Sequence, residues 1–183
     1  INSLKDITND HRIALPQPGS IQHILLSMAC DREFNDPNKM DNLLVTLSHP
    51  DGMNALLAGS EIDAHFTSTP YLETELKDND YHQILSGEEA FGRDYSFIVG
   101  VTTKKFHDGR SDLYKGLNRA MAKSIDFINE NPHEAAEILT EYFDLPKEEI
   151  LEYITSQDTN YSNIVKGTKS FSDFMYKTKY ISK

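Results

Sequence analysis

Apolar positions in the first half of the chain fall in short runs separated by breaker-rich segments, alternating strand-like and helical spacing. Residues 11–15 (HRIAL) read as a strand that ends in Pro16-Gln17-Pro18-Gly19. Ile21, Ile24, Leu25, Met28 and Ala29 then recur at helical spacing, with Ser20 placed as the N-cap. Residues 43–47 (LLVTL) read as a second strand, His49-Pro50-Asp51-Gly52 as a turn, and Met53, Leu56 and Leu57 as the start of a short helix. Residues 62–66 (IDAHF) read as a third strand, followed by Thr67-Ser68-Thr69-Pro70 and a helix carrying Tyr71 and Leu72. Residues 81–85 and 95–102 (YSFIVGVT) complete the expected strand set. This strand–helix–strand order predicts right-handed crossovers and an α/β fold, a parallel sheet covered by helices.

The second half changes period. Leu113, Leu117, Ala120, Met121, Ser124, Ile125 and Ile128 share one face of a long expected helix beginning at Ser111. Asn131-Pro132-His133-Glu134 restarts a helix, with Asn131 as cap, proline in the first turn and Glu134 completing a capping box. Leu145-Pro146 punctuates again, Ile150, Leu151 and Ile154 supply the next apolar face, and a last helix is expected over residues 168–176. This helical section has too few strands for an α/β core of its own, so its apolar faces are expected to pack on something else.

Composition narrows the function classes. A chain of 183 residues with 38% hydrophobic and 26% charged residues reads as an ordinary globular protein with ample length for a core. A formal net charge of −11 argues against a nucleic-acid partner, which needs clustered Lys and Arg. The basic stretch Lys166, Lys169, Lys177, Lys179 and Lys183 reads as a solvated helix face. At Ile1 there is no cationic start leading into an apolar stretch and a small-residue cleavage site, as a mature chain would also lack. Cys30 stands alone among apolar neighbours and reads as a buried small side chain.

Enzyme signatures are missing from the sequence: there is no G-x-S-x-G, no P-loop and no G-x-G-x-x-G. The histidines at 11, 23, 49, 65, 82, 107 and 133 lack metal-motif spacing. His65 reads as a hydrogen-bonded core histidine, His133 as exposed, and the pairs Glu88-Glu89 and Glu148-Glu149 as surface charge. Chemistry is expected instead beyond the carboxyl ends of the strands, where open α/β sheets collect ligands. Gly19-Ser20-Ile21-Gln22 leads a strand into a helix N-terminus, whose free N–H groups and dipole suit an anion, with Ser20 and Gln22 adding side-chain donors. The alternative there is simple capping by Ser20 with Gly19 relieving the turn. Ser48-His49-Pro50-Asp51 is the second strand end, and Phe66-Thr67-Ser68-Thr69 the third, an aromatic beside hydroxyls that suits a small polar ligand. Its alternative is a buried Phe66 with Thr67 or Ser68 capping the next helix.

Residues 13–28 (IALPQPGSIQHILLSM), 48–59 (SHPDGMNALLAG), 62–70 (IDAHFTSTP) and 171–176 (FSDFMY), with Lys105-Phe106-His107-Asp108 and Asn131-Pro132, resemble the nitrate/sulfonate/taurine branch of ABC solute-binding proteins, in the order expected for that family. The resemblance implies a type II periplasmic-binding-protein-like fold, represented by one parallel-sheet lobe plus helices that would pack on a first lobe lying outside this sequence. It places residues 1–94 in the second α/β lobe and residues 95–183 in a return hinge strand and the helical C-terminal part of the first lobe. It implies an extracytoplasmic protein, periplasmic or membrane-anchored, monomeric, non-catalytic and without a cofactor. Such a protein closes on a small anion or zwitterion and delivers it to ABC permease membrane subunits. The ligand-binding residues it implies are Gly19, Ser20, Ile21, Gln22, Phe66, Thr67 and Ser68, with His49 at the neighbouring strand end. Two alternatives share the fold: binding or synthesis of a thiamine-pyrimidine precursor, and an effector-sensing domain of a transcription regulator. The synthases use a cysteine-rich motif, from which a chain with only Cys30 departs.

Overall fold

A computed structural model of the protein describes residues 1–143, 145–156 and 159–182; Lys183 of the basic stretch lies outside them. The described residues form an α/β fold with one three-stranded parallel sheet. In chain order the elements are β1 (Ile13–Leu15), α1 (Ile21–Phe34), β2 (Leu44–Thr46), α2 (His49–Leu57), β3 (Ala64–His65), α3 (Tyr71–Leu76), α4 (Gly87–Phe91), α5 (Lys104–Gly109), α6 (Ser111–Glu130), α7 (Pro132–Leu139), α8 (Lys147–Ile154) and α9 (Thr168–Lys177). Short 3-10 turns occupy Leu4–Asp6 and Asp41–Leu43. The chain forms two compact units, Ile1–Tyr95 with Gly167–Lys183, and Ser96–Lys166.

The first unit holds the sheet, in the order β2-β1-β3. Ile13 pairs with Leu44 and Ala64, and Ala14 with Val45 and His65. The central strand is buried throughout because both of its faces are covered. Ile13 packs with Leu26, Cys30, Met40 and Leu43 on the α1 side, whereas Ala14 packs with Leu56 and Ile62 on the α2 side. Successive strand residues thus face opposite helical layers.

Helix α1 is buried continuously from Gln22 to Cys30 because it is wrapped on two sides. Leu26 and Cys30 face the sheet cluster, while Ile24, Leu25, Met28 and Ala29 meet Ala90 and Phe91 of α4 and Phe171, Phe174 and Met175 of α9. Burial, with Asp41 and Asp36 nearby, pushes the Cys30 thiol up to about 12, which keeps it protonated. Helix α4, five residues long, is too short to persist alone and is held at both ends. A capping box links Ser86 and Glu89 at its start, and the Ser86 N–H on the Glu89 carboxylate holds that acid below its usual range. At its end, Gly92 takes the left-handed conformation, and the Arg32 guanidinium donates to the carbonyls of Ala90 and Glu89.

The second unit buries little by itself. Among its described residues only Ala135, Ala136 and Ile150 are fully buried apolar side chains, at the contact of α7 with α8. The long helix α6 buries none, and Leu113, Leu117 and Met121 on its apolar face are 45%, 43% and 50% exposed.

Several sequence expectations are corrected. Residues 81–85 are not a strand: the Tyr81 hydroxyl donates to the Leu56 carbonyl at 2.6 Å and Leu85 packs on the α1–α4 cluster, so the two apolar residues serve different clusters through irregular backbone. Residues 95–102 are not a strand either, since no neighbouring strand pairs their backbone among the described residues, and Ile98 and Val101 stand 83% and 86% exposed. His49-Pro50-Asp51-Gly52 is the first turn of α2 rather than a separate turn. Asn131 precedes α7 with Pro132 in the first turn, but it makes no side-chain cap: its amide donates to the Phe127 carbonyl, and the expected capping box with Glu134 does not form.

Candidate functional site

Because the three strands are parallel, their carboxyl ends lie on one edge of the sheet, and each leads directly into a helix N-terminus. Sequence reasoning proposed three separate strand-end segments; the structure brings one residue from each together. The Gln22 amide nitrogen lies 3.3 Å from His49 Nε2, and Thr67 Oγ1 lies 3.0 Å from His49 Nδ1. His49, at the first position of α2, therefore bridges α1 and the chain leaving β3. Gln22 is buried, while His49 and Thr67 are half-buried and border solvent. Burial first, then the neighbouring His65, push the His49 pKa below the ordinary histidine value of 6.5, with Glu75 acting in the opposite direction. At neutral pH the ring is uncharged and engages both nitrogens, so the cluster offers oriented dipoles rather than a free base.

Two residues that the sequence did not place at the site, Tyr71 and His65, pack against this ring. Tyr71 stacks on His49 at 5.6 Å between centroids and 19° between planes, one turn beyond Ser68, whose carbonyl accepts from the Tyr71 N–H. The His65 ring lies 5.7 Å from that of His49, its side chain fully buried and its Nδ1 bonded to Glu75 at 2.6 Å. The expectation of a hydrogen-bonded core histidine at 65 is met, but nothing in the sequence signalled that Glu75 would be its buried partner. The helical spacing from Ser68 could have pointed to Tyr71.

The other expected site residues have local roles. Ser20 caps α1, its hydroxyl accepting from the His23 N–H. Gly19 adopts φ +79°, and its N–H is not free as expected; it donates to His23 Nδ1 at 2.9 Å. That leaves His23 Nε2 to face Asp41 at 3.2 Å and the Tyr180 hydroxyl at 3.1 Å. The backbone N–H groups that remain without a protein acceptor at the start of α1, among the described residues, are those of Ile21 and Gln22. Phe66 packs half-buried against both α1-side clusters, and Ser68 is half-buried beside Thr67.

His65 also constrains α2. A Cβ added to Gly52 would fall 2.5 Å from His65 Nε2 and 2.7 Å from Cε1, with the ring fixed by Glu75. Gly52→Ala should gain about 1 kcal/mol of helix propensity, yet overpacking against a fixed ring costs about 1–3 kcal/mol. The expected result in urea unfolding is a net loss of stability in the wild-type background, and a gain when the same change is made in His65→Ala and compared with His65→Ala alone. A gain in the single variant would show that the ring moves freely.

Two broader hollows lie elsewhere. One of about 570 Å³ is lined by Gln83, Ser86, Glu88, Glu89, Gly92 and Arg93, and one of about 630 Å³ by residues 176, 177 and 179–182. Each is lined by one short stretch of chain, whereas the strand-end cluster gathers polar groups from three elements. Among the described residues no group of three His, Cys, Asp or Glu is placed to hold a metal, and no helix is long and apolar enough to cross a membrane. No protein-family model matches the sequence, and no curated protein or solved structure matches it.

Proposed function

We propose that this chain is the solute-binding component of an ABC importer, holding a small anion or zwitterion of the sulfonate, taurine or nitrate class at its strand ends. The observation that carries the reading is the meeting of Gln22, His49 and Thr67, from three elements, at the carboxyl edge of a parallel sheet. Free N–H groups of Ile21 and Gln22 add positive potential at the same helix terminus. The family resemblance of residues 13–28, 48–59 and 62–70 supports the same class and a type II periplasmic-binding-protein-like lobe. In this reading the protein is extracytoplasmic, the first lobe closes over the ligand held on the second, and the closed form docks on the permease. No catalytic step is assigned to it: both nitrogens of His49 are engaged, and the Cys30 thiol is buried and protonated.

A thermal-shift panel of taurine, ethanesulfonate, nitrate and a thiamine pyrimidine tests the reading. A ligand present at 100 times its Kd stabilises the native state by about 2.7 kcal/mol. The expected result is stabilisation by at least one sulfonate or by nitrate, abolished by Thr67→Val and weakened by Gln22→Leu. Stabilisation by the pyrimidine alone moves the ligand to a different class, and no response to any compound overturns the proposal.

A further inference from the structure

The chain of hydrogen bonds through His49 has a direction, because a neutral imidazole has one donor and one acceptor nitrogen. With the Gln22 amide nitrogen donating to Nε2, the ring hydrogen resides on Nδ1 and donates to Thr67 Oγ1. The threonine's own hydrogen is then available for a further acceptor, and among the described residues none takes it. We propose that His49 is a positioning residue that holds Thr67 as a donor toward a bound oxyanion, and that a proton taken up by His49 strengthens this binding. The inference rests on the anion-binding reading of the site and adds its regulation.

Protonation leaves the bond to Thr67 intact, because Nδ1 already carries its hydrogen. It adds a hydrogen at Nε2, which the Gln22 amide meets by turning its oxygen inward. The charged groups around the ring set the balance. From β3, His65 faces it, bonded to Glu75 of α3; Tyr71 of α3 covers one side; Asp51 lies two residues on in α2 and is engaged by Ser48. From α1 only the uncharged Gln22 reaches the ring. Without ligand, burial and His65 keep the imidazole neutral at neutral pH. An anion beside Thr67 supplies the missing countercharge, so proton and anion favour each other by the same factor.

Isothermal titration of ethanesulfonate and nitrate, at fixed ionic strength from about pH 8 to about pH 5, tests this. The affinity for the bound anion is expected to rise at least about fivefold toward acid. His49→Gln, which keeps an amide donor near Thr67 without titrating, should bind more weakly than wild type and more tightly than His49→Leu, with a flat pH profile. In the wild-type protein, the His49 ring resonance should titrate at higher pH with the anion than without it, a readout that needs no variant to fold. A flat wild-type profile, or one equally steep in His49→Gln, overturns the inference and leaves anion binding standing. Failure of both anions to bind at either end of the range overturns the inference together with the reading beneath it.

Discussion

Replacing His65 with Leu is expected to cost about 3–5 kcal/mol of unfolding free energy, because it leaves one member of a buried polar pair without its partner. The two side chains are 0% and 5% exposed, and their contact is 2.6 Å. Among the described residues the imidazole is the only donor to the Glu75 carboxylate. A small domain is stable by only about 5–15 kcal/mol, so the loss takes a large fraction of the whole. Glu75→Leu should be comparably harmful, stranding Nδ1 in a buried ring whose Nε2 already has no partner. The double replacement His65→Leu/Glu75→Leu is expected to recover most of the loss, since a buried pair exchanged for apolar groups is often neutral. Urea unfolding of the four proteins gives the coupling directly. A single-variant cost below about 1 kcal/mol, the range of exposed ion pairs, would mean that water reaches the pair. The ring also packs 5.7 Å from that of His49, so the single variants should weaken ligand binding even at temperatures where they remain folded.

The sheet and the capped helix α1 were legible in the sequence because each has a local cause. Ile13 to Leu15 is apolar on both faces, Ser20 precedes a helical apolar period, and the breakers between segments fix the order of strand and helix. Residues 95–102 carry the same apolar, β-branched signature as a buried strand, yet they do not form one. That signature records what the segment could bury; a strand also needs a neighbour to pair its backbone, which composition cannot supply. The site was legible as three strand ends and not as a cluster. Gln22 and His49 lie 27 positions apart and His49 and Thr67 18 apart, so their contact depends on sheet order and register. The bond at Gly19 was hidden for a nearer reason: His23, one turn into α1, turns its ring back and accepts the Gly19 N–H. Glu75 was invisible because an acidic residue in a short helix ordinarily faces water.

Replacing Phe91 with Ala is expected to cost about 3–5 kcal/mol and to release α9 from the first unit. Phe91 is 6% exposed and stands where three segments meet. Its ring lies 4.6 Å from that of Phe171 in α9 and 5.1 Å from that of Tyr95, and it belongs to the cluster built on Ile24, Leu25, Met28 and Ala29 of α1. Truncation to Ala removes the transfer free energy of the ring and leaves a cavity that its neighbours close only in part. The polypeptide approaches the ring closely at Gly167, where a Cβ would fall 2.9 Å from Phe91 Cζ and where φ is +83°. Any side chain larger than hydrogen at 167 should therefore be destabilising on both counts. Beyond these ring contacts, α9 is tied to α1 by the Lys177–Asp31 ion pair and to Arg93 by the Ser170 hydroxyl, and Tyr180, just past its end, bonds the Ser27 hydroxyl and faces His23. A partly exposed ion pair and a few hydroxyl bonds contribute little beside a buried aromatic ring, so the aromatic contact is expected to decide whether α9 stays docked. Hydrogen exchange across residues 168–177 should accelerate in Phe91→Ala well beyond the change in β1, because the C-terminal segment opens before the sheet does. Uniform acceleration in both would show that α9 and the sheet unfold as one cooperative unit. An unchanged rate in α9 would show that the polar ties, not the aromatic cluster, keep it in place.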